Sequence, residues 1–238
     1  MEFVNIAGLK IANTTLEEAV DYALSMAKGE KNGNIVVTPN AEIAAKALDD
    51  KKFCEALNSA QLAVADGIGV VKAAKMLGTP VREKVAGVDL ATKIIEKAPE
   101  NNLSVYLLGG KPGVAKKAAE NLKERYLGLN ICGYSDGYFK EDAEVIDKVN
   151  ASGADVVMCC LGAPKQEYFM TANREKFNAK LLMGVGGSID VWAGTVKRAP
   201  RIFVKMNLEW LYRLIKQPSR IGRIMKIPGY LIKVRKYR

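Results

Sequence analysis

One acidic residue in this sequence stands where a parallel β-sheet would place a reactive group. The apolar run at residues 62–65 is typical of a buried strand, and it ends at Asp66. Gly67 and Gly69 follow and let the backbone turn. Because ligands of open α/β sheets bind beyond the carboxyl ends of the strands, Asp66 is a candidate for acid–base chemistry. The alternative is structural, since aspartate is also common at helix N-caps and a helix is predicted from about Gly69.

The 238 residues contain no histidine. This excludes Ser-His-Asp and Cys-His catalysis, histidine-bearing zinc sites and histidine acid–base chemistry. Proton transfer then falls to a carboxylate, a lysine, a tyrosine or water. The four cysteines fit no zinc or redox spacing, so we expect small core residues in a reducing cytosol; they are Cys54, Cys132, Cys159 and Cys160.

Small or polar residues end five of the predicted strands. These ends are Thr38-Pro39-Asn40, Asp66-Gly67, Gly109-Gly110, Gly162-Ala163-Pro164 and Gly186-Gly187-Ser188. In a parallel sheet they share one edge, so we expect one crevice in which glycine amides and helix N-termini approach a phosphate. A nucleoside diphosphate is the natural occupant. The alternative is that short strand-to-helix turns need glycine anyway.

The glycine spacing at residues 109–113 matches neither the dinucleotide fingerprint nor the P-loop, so NAD chemistry and ATP hydrolysis are not favoured. A second polar cluster, Lys165, Gln166 and Glu167, is predicted in the first turn of a helix. There a cation, an amide and an acid can face the crevice. The alternative is a solvated helix start in which Glu167 favours the helix dipole.

Strands alternate with helices along most of the chain, which predicts an α/β fold: a Rossmann-like, mostly parallel sheet with helices on both faces. A hairpin is expected at residues 3–6 and 9–11. Thr14 and Glu17 have the spacing of a capping box that opens the first helix. Further strands are predicted near residues 34–38, 103–108, 130–134, 155–161 and 180–185. Helices are predicted near 41–48, 53–59, 70–77, 87–97, 112–126, 141–151 and 164–174, with Pro112 in a first turn.

The C-terminal region differs in charge from the rest. Residues 197–238 hold 13 lysines and arginines and one acid, Glu209, whereas the whole chain has a net charge of +10. We divide the chain into a catalytic domain, residues 1–200, and a basic helical appendage, residues 201–238. Two amphipathic helices are predicted there, at 201–216 and 219–236; Pro218 separates them and Pro228 interrupts the second.

A basic amphipathic appendage suits an anionic membrane surface, where each basic residue adds ~1 kcal/mol of binding. The sequence contains no nucleic-acid motif, so lipid rather than nucleic acid is the expected polyanion. No apolar run reaches the ~20 residues of a membrane-spanning helix. The alternative is a helical pair packed on the body or on another subunit.

Seven segments, in order across nearly the whole chain, resemble the WecG/TagA/CpsF family, glycosyltransferase family 26. They are Thr38-Pro39-Asn40; Ala65-Asp66-Gly67-Ile68-Gly69; Arg82 with Val85-Ala86-Gly87; Gly133 to Gly137-Tyr138-Phe139; Gly162-Ala163-Pro164-Lys165-Gln166-Glu167; Gly184-Val185-Gly186-Gly187 to Lys197-Arg198-Ala199-Pro200; and Glu209-Trp210-Leu211-Tyr212-Arg213-Leu214. One departure is Ser135-Asp136, where relatives often carry histidines; it leaves the sugar preference open.

The resemblance implies a metal-independent, inverting transferase, without a cofactor, at the inner face of the cytoplasmic membrane. The implied reaction moves N-acetylmannosamine from its UDP-sugar to the 4-hydroxyl of GlcNAc-diphospho-undecaprenol, forms a β-1,4 link and releases UDP. Asp66 would be the general base, and Thr38, Asn40 and Gln166 would position the sugars, with Arg82 among the catalytic residues. The expected substrate-binding residues are Gly109, Gly110, Gly162, Lys165, Glu167, Gly186, Gly187, Arg213, Arg220 and Arg223. The three arginines are expected to fold over the crevice when the appendage meets the membrane.

Three other functions stay open. The same fold could use another UDP-sugar, carrying N-acetylmannosamine uronic acid or glucuronic acid. A nucleotide-dependent oxidoreductase would need a fingerprint that the sequence lacks. A non-catalytic, basic membrane-binding protein would depend on the appendage but not on Thr38 or Asp66. The sequence leaves the oligomeric state open, including a homo-oligomer.

Overall fold

A computed structural model describes residues 1–206, 208–216, 222 and 226–237. Its strands are β1 (Phe3–Ile6), β2 (Leu9–Ala12), β3 (Asn34–Val37), β4 (Leu62–Ala63), β5 (Ser104–Gly109), β6 (Asn130–Ser135), β7 (Val156–Cys160) and β8 (Leu181–Gly184). The first two form an antiparallel hairpin. The other six form one sheet in the order β4-β3-β8-β7-β5-β6, and all neighbouring strands are parallel. The predicted α/β class is confirmed.

Most helices lie close to their predicted positions, but the one predicted at 201–216 is two helices, of which the first ends at Lys205 and the second begins at Glu209. They are α1 (Leu16–Lys28), α2 (Ala41–Asp49), α3 (Lys51–Asn58), α4 (Ile68–Met76), α5 (Gly87–Lys97), α6 (Val114–Arg125), α7 (Asp142–Ala151), α8 (Lys165–Asn173), α9 (Ser188–Trp192), α10 (Arg201–Lys205), α11 (Glu209–Lys216) and α12 (Lys226–Val234). Helix α9 was not predicted, because its five residues are too few for a periodic apolar pattern to indicate a helix.

Apolar layers cover both faces of the sheet because successive strand residues point to opposite sides. In β7, Val156, Met158 and Cys160 face a layer that contains residues of α1, α5, α6 and α9. Val157 and Cys159 face the other layer, built from the hairpin and from α2, α3, α4, α7, α8 and α12. The two layers fix the sheet and therefore the position of its carboxyl edge.

The predicted capping box of α1 is wrong by one residue. Thr15 Oγ1 accepts a hydrogen bond from the Glu18 amide at 3.3 Å, and the Glu18 carboxylate accepts one from the Thr15 amide at 3.0 Å. Thr14 is buried, and Glu17 pairs with Lys93 at 2.8 Å instead. The two candidate pairs have the same spacing, so sequence alone does not distinguish them.

Two prolines differ from expectation. Helix α6 begins at Val114, after Gly113 with a φ of +85°, so Pro112 precedes the helix rather than occupying its first turn. Gly113 sets the start of the helix, because any other residue would be strained in this backbone conformation. Pro228 lies inside α12 and does not interrupt it.

Helix α12 packs on the body of the protein, which is the alternative that the sequence left open for this region. Tyr230 and Val234 are buried in the same layer as residues of α2 and α4. Lys233 Nζ also lies 2.6 Å from a carboxylate oxygen of Asp49. Burial raises the pKa of Tyr230 to about 12. The last described helix of the chain is therefore part of the folded unit.

Helices α10 and α11, and the C-cap of α10 at Met206, expose apolar side chains. Ile202 is 63% exposed, Met206 61% and Ile215 62%. No helix in the described ranges combines the length and the apolar character needed to cross a membrane. The exposed side chains therefore form a surface feature of the C-terminal region.

Gly109→Ala tests how closely β5 and β7 pack. A Cβ at Gly109 would lie 2.3 Å from the Cys160 carbonyl oxygen, and its φ is +133°. We expect the free energy of unfolding to fall by at least about 3 kcal/mol from overpacking plus backbone strain. The measurement is urea unfolding followed by circular dichroism.

Gly153→Ala is the matched control. Its φ of +68° is also positive, but nothing lies within 4 Å of the added Cβ. Backbone strain alone should cost about 1 kcal/mol there. Equal losses of unfolding free energy in the two variants would show that the close approach to the Cys160 carbonyl does not add to the effect of Gly109→Ala.

Candidate active site

A crevice with two chambers lies at the carboxyl ends of β4, β3, β8 and β7, which are neighbours in the sheet. The larger chamber has a volume of about 1280 Å³ and the smaller about 230 Å³. Asn40, Glu42 and Asp66 line both chambers. The polar side chains that line both chambers are therefore two carboxylates and one amide.

Asp66 is half-buried at this junction. Its backbone amide donates to the Pro39 carbonyl at 3.1 Å, which ties the end of β4 to the end of β3. The N-cap of α4 is Gly67, with a φ of +97° and no side-chain cap. The alternative in which Asp66 caps this helix is therefore wrong.

Asn40 combines a structural and a site position. Its Oδ1 accepts hydrogen bonds from the amides of Glu42 at 2.9 Å and Ile43 at 3.0 Å, so it caps α2. The cap occupies the oxygen and leaves the Nδ2 group as the donor for a ligand. The predicted role in positioning a sugar therefore depends on Nδ2.

Thr38 joins three elements at the floor of the crevice. Its hydroxyl donates to the Gly184 carbonyl of β8 at 3.0 Å. A Cβ on Gly87, the first residue of α5, would lie 2.7 Å from Thr38 Oγ1. Thr38 lines the larger chamber, but its proton is used inside the protein. It can therefore meet a ligand only as an acceptor.

Gln166 lines the larger chamber and also makes three hydrogen bonds within the protein, and its expected role in positioning a sugar stays a prediction. Its Oε1 accepts from the amides of Gly162 at 3.2 Å and Gly186 at 3.0 Å. Its Nε2 donates to Glu167 at 2.8 Å. Gln166 is 2% exposed, and its amide oxygen connects the two turns.

Three predicted side chains lie elsewhere. Arg82 pairs with Glu18 at 2.7 Å, and both are exposed. Lys165 donates to the Gly137 carbonyl at 3.1 Å and lies 4.5 Å from the centre of the Phe139 ring. Glu167 is 1% exposed and lines neither chamber. None of these three side chains lines either chamber, and their expected contacts with substrate stay predictions.

Burial explains the chemistry of Glu167. Removal from water raises the pKa of this carboxyl, because its charged form loses solvation. The solvated-helix alternative for Glu167 is also wrong, since the side chain faces the interior. Helix α8 places it there one residue after Gln166.

The predicted glycines divide into two groups. Gly162, Gly186 and Gly187 line the larger chamber. Gly109 and Gly110 line neither chamber. Their lack of a side chain instead permits close packing, of Gly109 against Cys160 and of Gly110 against Val114 and Ile189. Four of the five expected strand ends therefore meet at the crevice, and the end of β5 does not.

The predicted arginines of the appendage are not placed at the site. Arg220 and Arg223 lie outside the described residues. Arg213 belongs to α11, and only its backbone is described. Their expected role at the crevice stays a prediction.

Several lining residues were missed from the sequence. Glu42 resembles any acid in a helix first turn, although Asn40 fixes its backbone at the junction. Trp210 lines the smaller chamber, whereas Lys197 and Lys216 line the larger one. Neither lysine has a carboxylate partner among the described side chains. Lys197 and Trp210 belong to two of the segments that resemble the family, and this membership could have identified them as site residues.

Five helices begin at the smaller chamber. It is lined by the first residues of α2, α4, α5, α9 and α11, and by Lys84, which lies 3.9 Å from Glu209. Helices α4 and α5 have no side-chain cap. Their first amides and dipoles favour an anion. Within the ranges described, no group of three acidic or cysteine side chains could hold a metal ion.

A family model described as "Glycosyl transferase WecG/TagA/CpsF family" matches residues 4–238. The chain belongs to this family. Its fold and crevice are thus those of a family member, and the resemblance noted from the motifs is confirmed.

Three similar proteins are each named N-acetylglucosaminyldiphosphoundecaprenol N-acetyl-beta-D-mannosaminyltransferase. The protein of Bacillus spizizenii is 37% identical over 237 residues, which cover 100% of this chain and 92% of the relative. That of Staphylococcus aureus strain MRSA252 is 35% identical, with 98% and 92% covered. That of Bacillus subtilis strain 168 is 34% identical, with 99% and 92% covered.

Substitutions of Asn40 should separate its two roles. Asn40→Ser keeps an oxygen that can cap α2, so we expect stability within roughly 0.5 kcal/mol of the unchanged protein, whereas Asn40→Ala should lose about 1 kcal/mol. Both remove Nδ2, so both should lower turnover by a similar factor. Urea unfolding and sugar-transfer assays measure the two effects. Full activity of Asn40→Ser would exclude a role for Nδ2.

Proposed function

We propose that this chain transfers N-acetylmannosamine from its UDP-sugar to the 4-hydroxyl of GlcNAc-diphospho-undecaprenol, with inversion, and that Asp66 is the general base. The names of relatives that align with 98–100% of this chain support the donor sugar and the acceptor. The position of Asp66, where the two chambers meet, is the observation that supports the base.

The larger chamber suits the UDP-sugar. Lys197 and Lys216 line it, as do the turns after β7 and β8. Because these lysines have no carboxylate partner among the described residues, their charge is available for a diphosphate. The amides of Gly162 and Gly186 are already bonded to Gln166, so the lysines rather than these amides would meet the phosphates.

The smaller chamber suits the acceptor. Its walls include Ile68, Val88, Trp210 and Ile227, which can pack against a sugar ring. The uncapped starts of α4 and α5 favour the acceptor's diphosphate. Trp210 is also 38% exposed, so this wall continues to the surface beside the apolar side chains of α10 and α11. A lipid tail would leave the crevice there.

Asp66 lines both chambers, which fits an inverting displacement. The 4-hydroxyl approaches the anomeric carbon from the side opposite the diphosphate. As the new carbon–oxygen bond forms, the Asp66 carboxylate accepts the hydroxyl proton. The bond from the anomeric carbon to the diphosphate oxygen breaks, and its electron pair leaves with UDP. Lys197 and Lys216 would stabilise that charge.

A membrane surface is the proposed setting. Ile202 on α10, Met206 just after it and Ile215 on α11 are exposed, within a C-terminal region of strongly positive charge. Exposed apolar side chains interleaved with basic ones favour the interface of an anionic bilayer. The inner face of the cell membrane is where a lipid-linked acceptor and a nucleotide sugar would meet.

Asp66→Asn is the test of the proposed base. Amide and carboxylate have similar size, but the amide does not accept the proton, so we expect transfer to fall at least about 100-fold. Binding of UDP should stay within about twofold. Turnover is measured as UDP release with a panel of UDP-sugars and a lipid-linked GlcNAc acceptor, and binding by calorimetry.

Asp136→Asn is the matched control. Asp136 is outside both chambers, and its Oδ1 accepts from the Tyr138 amide, which asparagine can also do. We expect unchanged transfer. Near-normal turnover of Asp66→Asn would exclude the base assignment, and release from a different UDP-sugar alone would exclude N-acetylmannosamine.

Membrane binding is tested by replacing Ile202, Met206 and Ile215 together with serine. Each side chain should contribute about 1 kcal/mol on partial burial, so binding to phosphatidylglycerol vesicles should fall on the order of 100-fold. Flotation measures it, with UDP binding as the check on folding. Leu127→Ser, at a body residue 98% exposed, should have no effect. Unchanged flotation of the triple variant would exclude this surface.

A further inference from the structure

The proposed mechanism leaves one buried acid unused. Glu167 is 1% exposed, lies on α8 behind the wall of the larger chamber and lines neither chamber. Its Oε1 accepts a hydrogen bond from Gln166 Nε2 at 2.8 Å, and its Oε2 has no partner among the described atoms. An apolar residue would fill this position at lower cost, because a buried carboxyl loses its hydration. The carboxyl group at this position therefore indicates that a hydrogen-bond acceptor is needed there.

The neighbouring Gln166 shows what the acceptor does. A glutamine amide can be rotated by half a turn, which exchanges its oxygen and its nitrogen. In the observed orientation, the oxygen faces two donors, the amides of Gly162 and Gly186. Rotation would place NH₂ against those N–H groups and oxygen against the Glu167 oxygen. The acceptor supplied by Glu167 excludes that orientation.

The two glycines belong to different strand ends. Gly162 follows β7 and Gly186 follows β8, both have positive φ values, +77° and +50°, and both line the larger chamber. One amide oxygen thus bridges two turns of the chamber wall. The fit is close, since a Cβ on Gly184 would lie 3.0 Å from Gln166 Nε2.

We propose that Glu167 is a positioning residue: it fixes the orientation of the Gln166 amide and so holds the Gly162 and Gly186 turns together as one wall of the donor chamber. The part that concerns the donor rests on the proposed function. The part that concerns the two turns does not.

The first measurement is amide hydrogen exchange at Gly162 and Gly186, followed by NMR. Glu167→Met removes the acceptor while keeping the volume, and we expect exchange at both amides to rise about tenfold or more. Glu167→Gln keeps a carbonyl oxygen for Gln166 Nε2, so exchange should stay within about threefold of the unchanged protein.

A pair of isosteric changes gives a second test if Glu167→Met fails to fold. Gln166→Glu alone sets a carboxylate against Glu167, so both glycine amides should exchange faster. Gln166→Glu combined with Glu167→Gln restores a donor opposite the acceptor, and protection should return. Asn173→Leu is the control for a lost buried polar group on α8; Asn173 bonds to Asp142 and Phe169, and its loss should leave the two glycines protected.

Binding connects the wall to the donor. We expect Glu167→Met to weaken UDP binding about tenfold by calorimetry, and Glu167→Gln and the double variant to restore it. Unchanged exchange at both glycines in Glu167→Met, or in Gln166→Glu where that is the variant that folds, would overturn the proposal. Failure of the unchanged protein to bind any UDP-sugar would instead contradict the proposed function, and the exchange results would still decide the role of Glu167.

Discussion

The parallel register of four neighbouring strands is the constraint on which the site depends. Val37 of β3 lies beside Ala63 of β4 and beside Gly184 of β8, and Gly184 lies beside Cys159 of β7. The four strands therefore end at one level. A slip of one residue would exchange the two faces of a strand and move its apolar residues out of their layer, so burial on both faces holds this register.

Hydrogen bonds between the strand ends convert that edge into a defined crevice. Thr38 bonds to the end of β8, and Gln166 joins the turns after β7 and β8. The Asp66 amide bonds to Pro39. Much of the polar chemistry predicted to contact substrate is thus used to position backbone. The other polar residues of the crevice are Asn40, Glu42 and Asp66, which line both chambers, and the lysines of the larger chamber.

The sequence predicted the fold well because its signals are local. Periodic apolar residues, glycine turns and the alternation of strands with helices determine the elements and their order. The position of Asp66 after a buried strand also followed from such signals. The directions of individual side chains did not follow from local signals. Glu167 was expected to face the crevice, but its side chain faces the interior. Gly109 looks like a ligand-binding glycine, yet it accommodates the Cys160 carbonyl.

Long-range contacts explain the remaining differences. Arg82 pairs with Glu18, 64 residues earlier, and no local pattern indicates that contact. Thr14 and Thr15 offer the same spacing to an acid three residues later, and burial of Thr14 decides between them. Likewise, the basic composition of the C-terminal region suggests a surface element, but Tyr230 and Val234 anchor its last described helix in the core.

The proposed mechanism requires the Asp66 carboxylate to reach both a donor chamber and an acceptor chamber. The most direct measurement is a crystal structure of Asp66→Asn with UDP-N-acetylmannosamine and a soluble GlcNAc-diphosphate acceptor. We predict the diphosphate of the donor in the larger chamber and the acceptor 4-hydroxyl about 2.6–3.2 Å from the side chain at position 66, on the opposite side of the anomeric carbon. A donor bound outside the larger chamber, or a 4-hydroxyl beyond reach of that side chain, would contradict the account.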